Sequence, residues 1–402
     1  MNILVFNCGS SSLKYRLLDA CSERELLGGE AQRIGPPTAE PARIVHNDGQ
    51  RDFVYTKPMR DHAEAFGEVM KIVQQSGVVI DAVAHRVAHG GDLYRQPTCI
   101  DGPFLENLDA LSDVAPLHNP PAVALMRTCK ELFGELPQVA VFDTAYHLSI
   151  PEHAYTYPLP LELRQGQGIR KYGFHGTSHE YVAAEAARFL GRDVGQFDAV
   201  SCHLGSGGAS LCAIRGGRSI DNTFGYSPLQ GLIMSTRCGD IDPAIAMHLL
   251  ARANGNSEQV DRMLNRRSGV LGLSGVSGDI RDILRRQQPG NGSEQLGRAA
   301  GVYLWRLRKY LGAYLSVVGR AQAIIFTDTI GEEVPRVREA LCVGMEVFGL
   351  RIDKRANREL RGVPADVAHD SSTIRILVVH TNEERAIART AYRRLQQPPA
   401  AA

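Results

Sequence analysis

Residues 2–18, NILVFNCGSSSLKYRLL, decide how the chain begins to fold. Residues 2–6 are a short apolar run rich in β-formers. Asn7-Cys8-Gly9-Ser10-Ser11-Ser12 is a polar Gly/Ser turn, and residues 13–18 alternate as a second strand. The pattern predicts a β-hairpin. The same layout recurs at 199–214, AVSCHLGSGGASLCAI, with a further turn at Gly216-Gly217. Two strand–small-residue-turn–strand units suggest a duplicated domain. Elsewhere strands alternate with helices. Strands are expected at 78–84, 138–142, 323–326 (ending in a polar turn) and 375–379. Helices are expected at 120–133, 179–190, 242–252, 299–317 and from about Asn382. That alternation is the signature of an α/β protein. The Pro/Ala-rich tail, 396–402, is expected to fray.

The chain has 402 residues, enough for two or three domains. Lys plus Arg is 45 and Asp plus Glu is 44, a net charge of +1. This balance argues against a general nucleic-acid binder or a polybasic membrane binder. Hydrophobic residues are 44% and charged residues 22%, as in globular proteins. No apolar run approaches the ~18 residues of a membrane span, and the N-terminus lacks the basic n-region of a signal peptide. Eight scattered cysteines form no CxxC pair. A reducing, cytoplasmic compartment is the expectation.

A Gly/Ser turn after a strand presents backbone N–H groups that can hold phosphate oxygens. Asn7, Ser10, Ser12 and Lys14 surround the first such turn. One turn alone could be an ordinary hairpin; a second, HLGSGGAS at 203–210, favours phosphate binding. Arg86 and Arg237 sit in Gly-flanked loops, where a guanidinium suits bidentate binding of carboxylate or phosphate. Alone, either could be a surface salt-bridge residue. Asp143 directly follows a strand, a position that suits a metal ligand, a base or a simple cap. Histidines 85, 89, 118, 147, 175, 179 and 203 all lie in dense motifs. His175 and His179 are four apart, but Gly176-Thr177-Ser178 between them lacks the glutamate of a zinc-peptidase helix, and Thr177 or Ser178 reads better as an N-cap. The chain has no Walker A string, no GxSxG elbow and no helix-opening GxGxxG after the first strand.

These motifs, with AHRVAHGG (84–91), APLHNPP (115–121), FDTAYH (142–147), RKYGFHGTSH (170–179), GYSPLQGLIMSTRCGDIDPAI (225–245), SGVLGLSGVSGDIRD (268–282) and HTNEERAIA (380–388), make the chain resemble the acetate kinase family over nearly its full length. The resemblance implies two duplicated actin-like (ribonuclease H-like) domains facing a nucleotide cleft. They would comprise residues 1–148 plus 383–402, and residues 149–382. It implies reversible transfer of the ATP γ-phosphoryl group to acetate or propionate, with Mg²⁺ or Mn²⁺ as cofactor, by a homodimer that binds neither nucleic acid nor membrane.

Residue by residue, the resemblance implies that Arg86 and Arg237 hold the substrate carboxylate and the transferring phosphoryl group. His175 would donate a hydrogen bond to that group in the transition state, with His118 in support. Asp143 and Glu383, with Asn7 nearby, would position the metal. Ser10, Ser12 and Lys14 would form the first phosphate loop, and His203, Leu204, Gly205, Ser206, Gly207 and Gly208 the second. Asp279, Ile280 and Arg281, with Thr329, Ile330 and Gly331, would bind the nucleotide. Ala88, Leu117, Phe174 and Pro228 would surround the acyl methyl.

The chain departs from the family pattern in three places. HLGSGGAS is one residue longer than the usual HLGNGAS, with Ser206 for Asn. FTDTIGEEV (326–334) replaces FTGGIGENS, placing Asp328 and Thr329 where small residues are usual and Glu333 where Asn is. Ala88 stands where Val is common. The first two departures leave open another phosphoryl donor, such as pyrophosphate, or a weakened nucleotide-binding paralogue.

Overall fold

The computed structural model describes residues 1–9, 11–35, 41–111, 119–286 and 294–397. The chain forms two compact units, Met1–Ala145 with Asn382–Ala402, and Tyr146–Thr381.

The first unit contains β1 (Asn2–Cys8), β2 (Ser12–Asp19), β3 (Arg24–Gln32), β4 (Arg43–Asn47), β5 (Asp52–Thr56), α1 (His62–Gln75), β6 (Ala82–Val87), β7 (Thr98–Cys99), α2 (Gly102–Ala110), α3 (Asn119–Phe133) and β8 (Gln138–Phe142). The second opens with α4 (Glu152–Tyr155), α5 (Leu161–Gln167), α6 (Gly176–Phe189), β9 (Ala199–Leu204), β10 (Ala209–Arg215) and β11 (Arg218–Asn222). It continues with α7 (Pro243–Arg252), α8 (Ser257–Arg266), α9 (Gly269–Ser274), α10 (Ile280–Arg286) and α11 (Glu294–Val318). It ends with β12 (Ala323–Thr327), α12 (Asp328–Glu333), α13 (Pro335–Cys342), α14 (Lys354–Arg358), β13 (Ala365–Asp366) and β14 (Arg375–Val378). The last helix, α15 (Glu383–Gln396), returns to the first unit.

The sheet orders, among the described residues, are β5-β4-β3-β2-β1-β6-β8-β7 and β11-β10-β9-β12-β14-β13. Each holds the same five-strand segment: an antiparallel β3-β2-β1 or β11-β10-β9, followed by two strands parallel to the first. The hairpin turns close alike: Gly9 N–H donates to Ser12 O and Gly205 N–H to Gly208 O, both at 2.9 Å. The central strands are apolar on both faces because helices cover both. In the first unit, Ile387, Ala388 and Ala391 of α15 pack on Ile3, Val5 and Val139, while α1 and α3 cover the opposite face with Phe66, Val69 and Cys129. Asn382 starts α15 by accepting from Arg385 N at 2.9 Å.

Three local expectations are corrected. The strand expected at 78–84 is paired only from Ala82, and Val79 is 69% exposed; residues before Ala82 run in along the sheet end, where Asn2 Nδ2 donates to Val79 O. Neither Thr177 nor Ser178 is an N-cap. His175 turns the chain at φ 58°, so helix begins at Gly176, and the Ser178 hydroxyl bonds His203 instead. The polar turn expected after 323–326 is the helix α12, with Thr327 as its extended N-cap residue. Ser10, Leu117, His118 and residues 398–402 of the tail lie outside the described residues.

Candidate active site

The first unit gathers its candidates at the carboxyl ends of parallel strands, the usual ligand side of an open α/β sheet. Arg86 is the penultimate residue of β6. Asp143 follows β8, its N–H continuing the ladder to Val87 O at 2.9 Å. The Arg86 guanidinium clasps Asp143: Nε donates to Oδ2 at 3.0 Å and Nη2 bonds the same oxygen. Arg86 Nη1 also donates to Asn7 Oδ1 at 3.2 Å, and Asn7 Nδ2 donates to Glu383 Oε2 at 3.1 Å and Glu384 Oε1 at 3.2 Å. Burial alone would lower the Arg86 pKa; the Asp143 and Glu383 carboxylates outweigh it and raise it. Glu384, itself buried, and Arg16, 3.9 Å from it, are members that the sequence reading missed. The only sequence signal was the doubled acid in TNEE. Ser12 and Lys14 start β2, and His62 Nε2 lies 2.8 Å from Gly9 O in the turn before it. Ala88 is buried just after β6.

In the second unit, His175 stands at the head of α6 in the left-handed region, a conformation that favours glycine and persists where the surroundings impose it. Those surroundings are visible. His147 Nε2 donates to Phe174 O at 2.9 Å, and Asn222 Nδ2 donates to it at 3.3 Å. Gly173 at φ 76° is required, since a Cβ there would meet the His147 ring at 2.8 Å. Arg237 sits on a loop stitched to the start of α9: Ser268 N–H donates to Thr236 O and Val270 N–H to Met234 O. A side chain at Gly269 would collide with Met234 O, which explains the glycine in SGVLG. His175 and Arg237 converge beside the second Gly turn. A Cβ at Gly208 would lie 3.4 Å from His175 Nε2 and 3.9 Å from Arg237 Nη1.

Arg237 has no carboxylate partner among the described residues; its side chain donates only to Pro228 O at 3.4 Å and Met234 Sδ at 3.9 Å, and burial lowers its pKa. A partly buried guanidinium left without an anion is a ready anion site.

Of the remaining nucleotide candidates, the start of α12 lies next to that turn. His203 Nε2 is 3.0 Å from Asp328 Oδ2, and Ser206 N–H donates to Thr329 Oγ1 at 3.1 Å. Ile330 and Gly331 are buried within α12. Arg281 chelates Asp279 and reaches Glu333 at 3.3 Å. Burial works against Asp279 ionising, but Arg281 holds its pKa below the usual value. Arg338, fully buried and also missed from sequence, donates to Gly331 O at 2.8 Å and Glu332 O at 2.7 Å, securing the end of α12.

Asp143, Glu383 and Asn7 offer hard oxygen donors. Among the described residues no three His, Cys, Asp or Glu side chains form a cage for a metal. Mg²⁺ needs none, taking one or two carboxylates and completing its shell with phosphate and water. The donor set therefore fits Mg²⁺. The His175–His179 pair converges instead on one serine hydroxyl.

The acetokinase family model matches residues 2–389. The chain belongs to the acetokinase family. An acetate kinase of Clostridium botulinum is 43% identical over 396 residues, covering 97% of this chain and 98% of that one. Among solved structures, the acetate kinase of Porphyromonas gingivalis superposes with a TM-score of 0.88 at 34% identity, covering 98% of this chain and 100% of that one. A propionate kinase from Francisella tularensis gives 0.89 at 33% identity, covering 97% and 98%. The α/β fold of these acetokinases, with its two mixed sheets, is the fold of this chain. The family fixes its class as a phosphotransferase acting on a carboxyl group. No helix among the described residues is long and apolar enough to cross a membrane.

Proposed function

We propose that the chain transfers the γ-phosphoryl group of ATP to acetate or propionate, reversibly, giving acyl phosphate and ADP. The observation that carries this reading is the approach of His175 Nε2 and Arg237 Nη1 to the Gly205–Gly208 turn. Phosphoryl transfer requires positioning and charge stabilisation more than covalent help. The acid is ionised at pH 7 and needs no general base. Its oxygen forms a bond to phosphorus as the bond to the ADP oxygen breaks. His175 and Arg237 donate hydrogen bonds to the phosphoryl oxygens, where charge spreads in the transition state. Arg86 binds the carboxylate. Asp143, Glu383 and Asn7 would hold Mg²⁺, which when bound neutralises phosphate charge. The turns after β1 and β9 cradle phosphates, and Asp279, Arg281 and the start of α12 contact the nucleoside.

A second reading has its own support. Asp328 places a carboxylate on His203 at the second turn, and a smaller donor such as pyrophosphate, or weakened turnover, would follow if nucleotide cannot displace it. Trapping the acyl phosphate as a hydroxamate, with ATP and then pyrophosphate as donor, separates these outcomes. No product with either donor would overturn the enzyme reading.

A homodimer working in the cytoplasm completes the proposal. α7 buries none of its residues, exposing Ile245 and Met247, and Trp305 is 74% exposed on α11. Such apolar surface favours self-association, which sedimentation would measure. All eight cysteines are free thiols, in keeping with a reducing compartment.

A further inference from the structure

Two histidines of the second unit, His179 and His175, are linked by serine hydroxyls into a chain whose proton order can be read. Ser201 Oγ lies 3.0 Å from His179 Nδ1. Ser210 Oγ lies 2.9 Å from His179 Nε2 and 2.9 Å from His175 Nδ1. Ser201, Ser210 and His179 are fully buried. They come from β9, β10 and α6, so packing of the two strands against the helix builds the chain.

A hydroxyl has one proton and two lone pairs. A buried donor left unmade is rarer than an unused lone pair, because its lost hydration is not recovered. The Ser201 hydroxyl has no hydrogen-bond partner among the described residues other than His179. Its proton therefore goes to His179 Nδ1. Burial, reinforced by His147 and His203, pushes the His179 pKa well below the ordinary imidazole value, so the ring is neutral and keeps its proton on Nε2. That N–H donates to Ser210. The Ser210 proton then has one acceptor left, His175 Nδ1. The proton of His175 is consequently on Nε2, the nitrogen beside Gly208 and Arg237.

We propose that Ser201, His179 and Ser210 are positioning residues that hold His175 in the Nε2–H tautomer, so that it presents a donor to the transferring phosphoryl group. The proposal rests on the reading of His175 as that donor. The opposite order would turn a lone pair toward the phosphoryl oxygens and strand the Ser201 proton without an acceptor.

The test uses the whole chain with ¹⁵N-labelled histidine and long-range ¹H–¹⁵N correlation, the His175 signals being assigned by their loss in His175→Gln. At alkaline pH the wild type should show a protonated Nε2 and a bare Nδ1. Ser210→Ala should give a mixture of tautomers and lower kcat by about 10- to 100-fold, the scale on which orienting partners of a histidine act. KM for both substrates should stay within about twofold, as for a loss confined to the transition state. Ser210→Thr, which restores the hydroxyl, should recover most of kcat. A proton on Nδ1 in the wild type, which needs no variant, overturns the proposal. So does Ser210→Ala with an unchanged spectrum and unchanged kcat. His175→Gln with normal kcat would instead overturn the functional role of His175, while the wild-type spectrum still decides the proton order.

Discussion

His203 donates from Nε2 to Asp328 Oδ2 across 3.0 Å, tying the end of β9 to the first residue of α12. Asp328 adopts φ 63°, a conformation natural to glycine, and a Cβ at Gly205 would collide with its carboxylate. An anion belonging to the protein thus already sits at the second turn, where a phosphate would have to compete with it. Asp328→Gly removes both the charge and the strain. It should lower KM for ATP by about tenfold, the effect of one ~1.4 kcal/mol repulsion between partly screened charges. KM for the carboxylic acid should not move. Asp328→Asn, which keeps the backbone conformation and loses the charge, should reproduce most of the gain. Steady-state kinetics with ATP and with pyrophosphate measures it. An unchanged ATP KM in both variants would show that this carboxylate does not oppose the donor.

Arg86 and Arg237 should separate stability from activity. Both alanine variants should lose about two to four orders of magnitude in kcat, as when a transition-state charge stabiliser is removed. Their folding should differ. The Asp143 side chain is only 1% exposed and forms a buried ion pair with Arg86. Arg86→Ala breaks that pair and should destabilise the fold by about 3–5 kcal/mol. Arg237 pairs with no carboxylate among the described residues. Arg237→Ala should stay within about 1 kcal/mol of the parent, since a partly buried cation without a partner contributes little to folding. Denaturant unfolding of the two variants checks the contrast. Near-normal kcat in either would refute its assignment.

Much of this arrangement was legible locally. NILVF and AVSCHL carry their own β pattern, and the small residues after them mark turns. The pairing of Arg86 with Asp143 was not legible, because it arises from β6 and β8 lying side by side. The order of serines and histidines was hidden for the same reason: only the four-residue spacing of His175 and His179 is local, while Ser201 and Ser210 arrive from separate strands. It was that spacing alone that brought zinc into consideration. FTDTIGEEV looked like a loop because Asp328, Thr329 and Gly331 are weak helix formers. What holds α12 in place comes from elsewhere, from Arg338 and from Glu332 bonding to His380 and Thr381.

Acid should destabilise the fold through its buried histidines. Burial holds His85 at about 4, against an opposing hydrogen bond that its ring donates to Gln138 Oε1, and holds His89 at about 4 as well. The unfolded chain takes up these protons near pH 6.5 and the native state does not. Below that pH the unfolded state binds more protons, so stability is complete above pH 6.5 and falls as pH drops toward 4. Each histidine should contribute a loss of about 3 kcal/mol by pH 4. Urea midpoints at pH 7.5, 6 and 5 should decline, and less steeply in His85→Gln. Equal slopes for parent and variant would mean that His85 titrates alike in both states.

We propose that the acid preference turns on Ala88. The side chain is 8% exposed and follows β6 directly after Val87. Where the family commonly has Val, this chain has two methyl groups fewer. Each buried methylene is worth about 0.8 kcal/mol, roughly a fourfold change in equilibrium. Apolar pockets separate substrates differing by one methylene by only about 1–3 kcal/mol. One truncated wall residue is therefore enough to let propionate compete with acetate. The parent should use propionate about as well as acetate, and Ala88→Val should shift the ratio of kcat/KM values toward acetate by about fourfold or more. Measuring both acids in both proteins decides it. If the ratio does not move, Ala88 does not line the acyl pocket, and the residue that sets the preference must be sought on another wall.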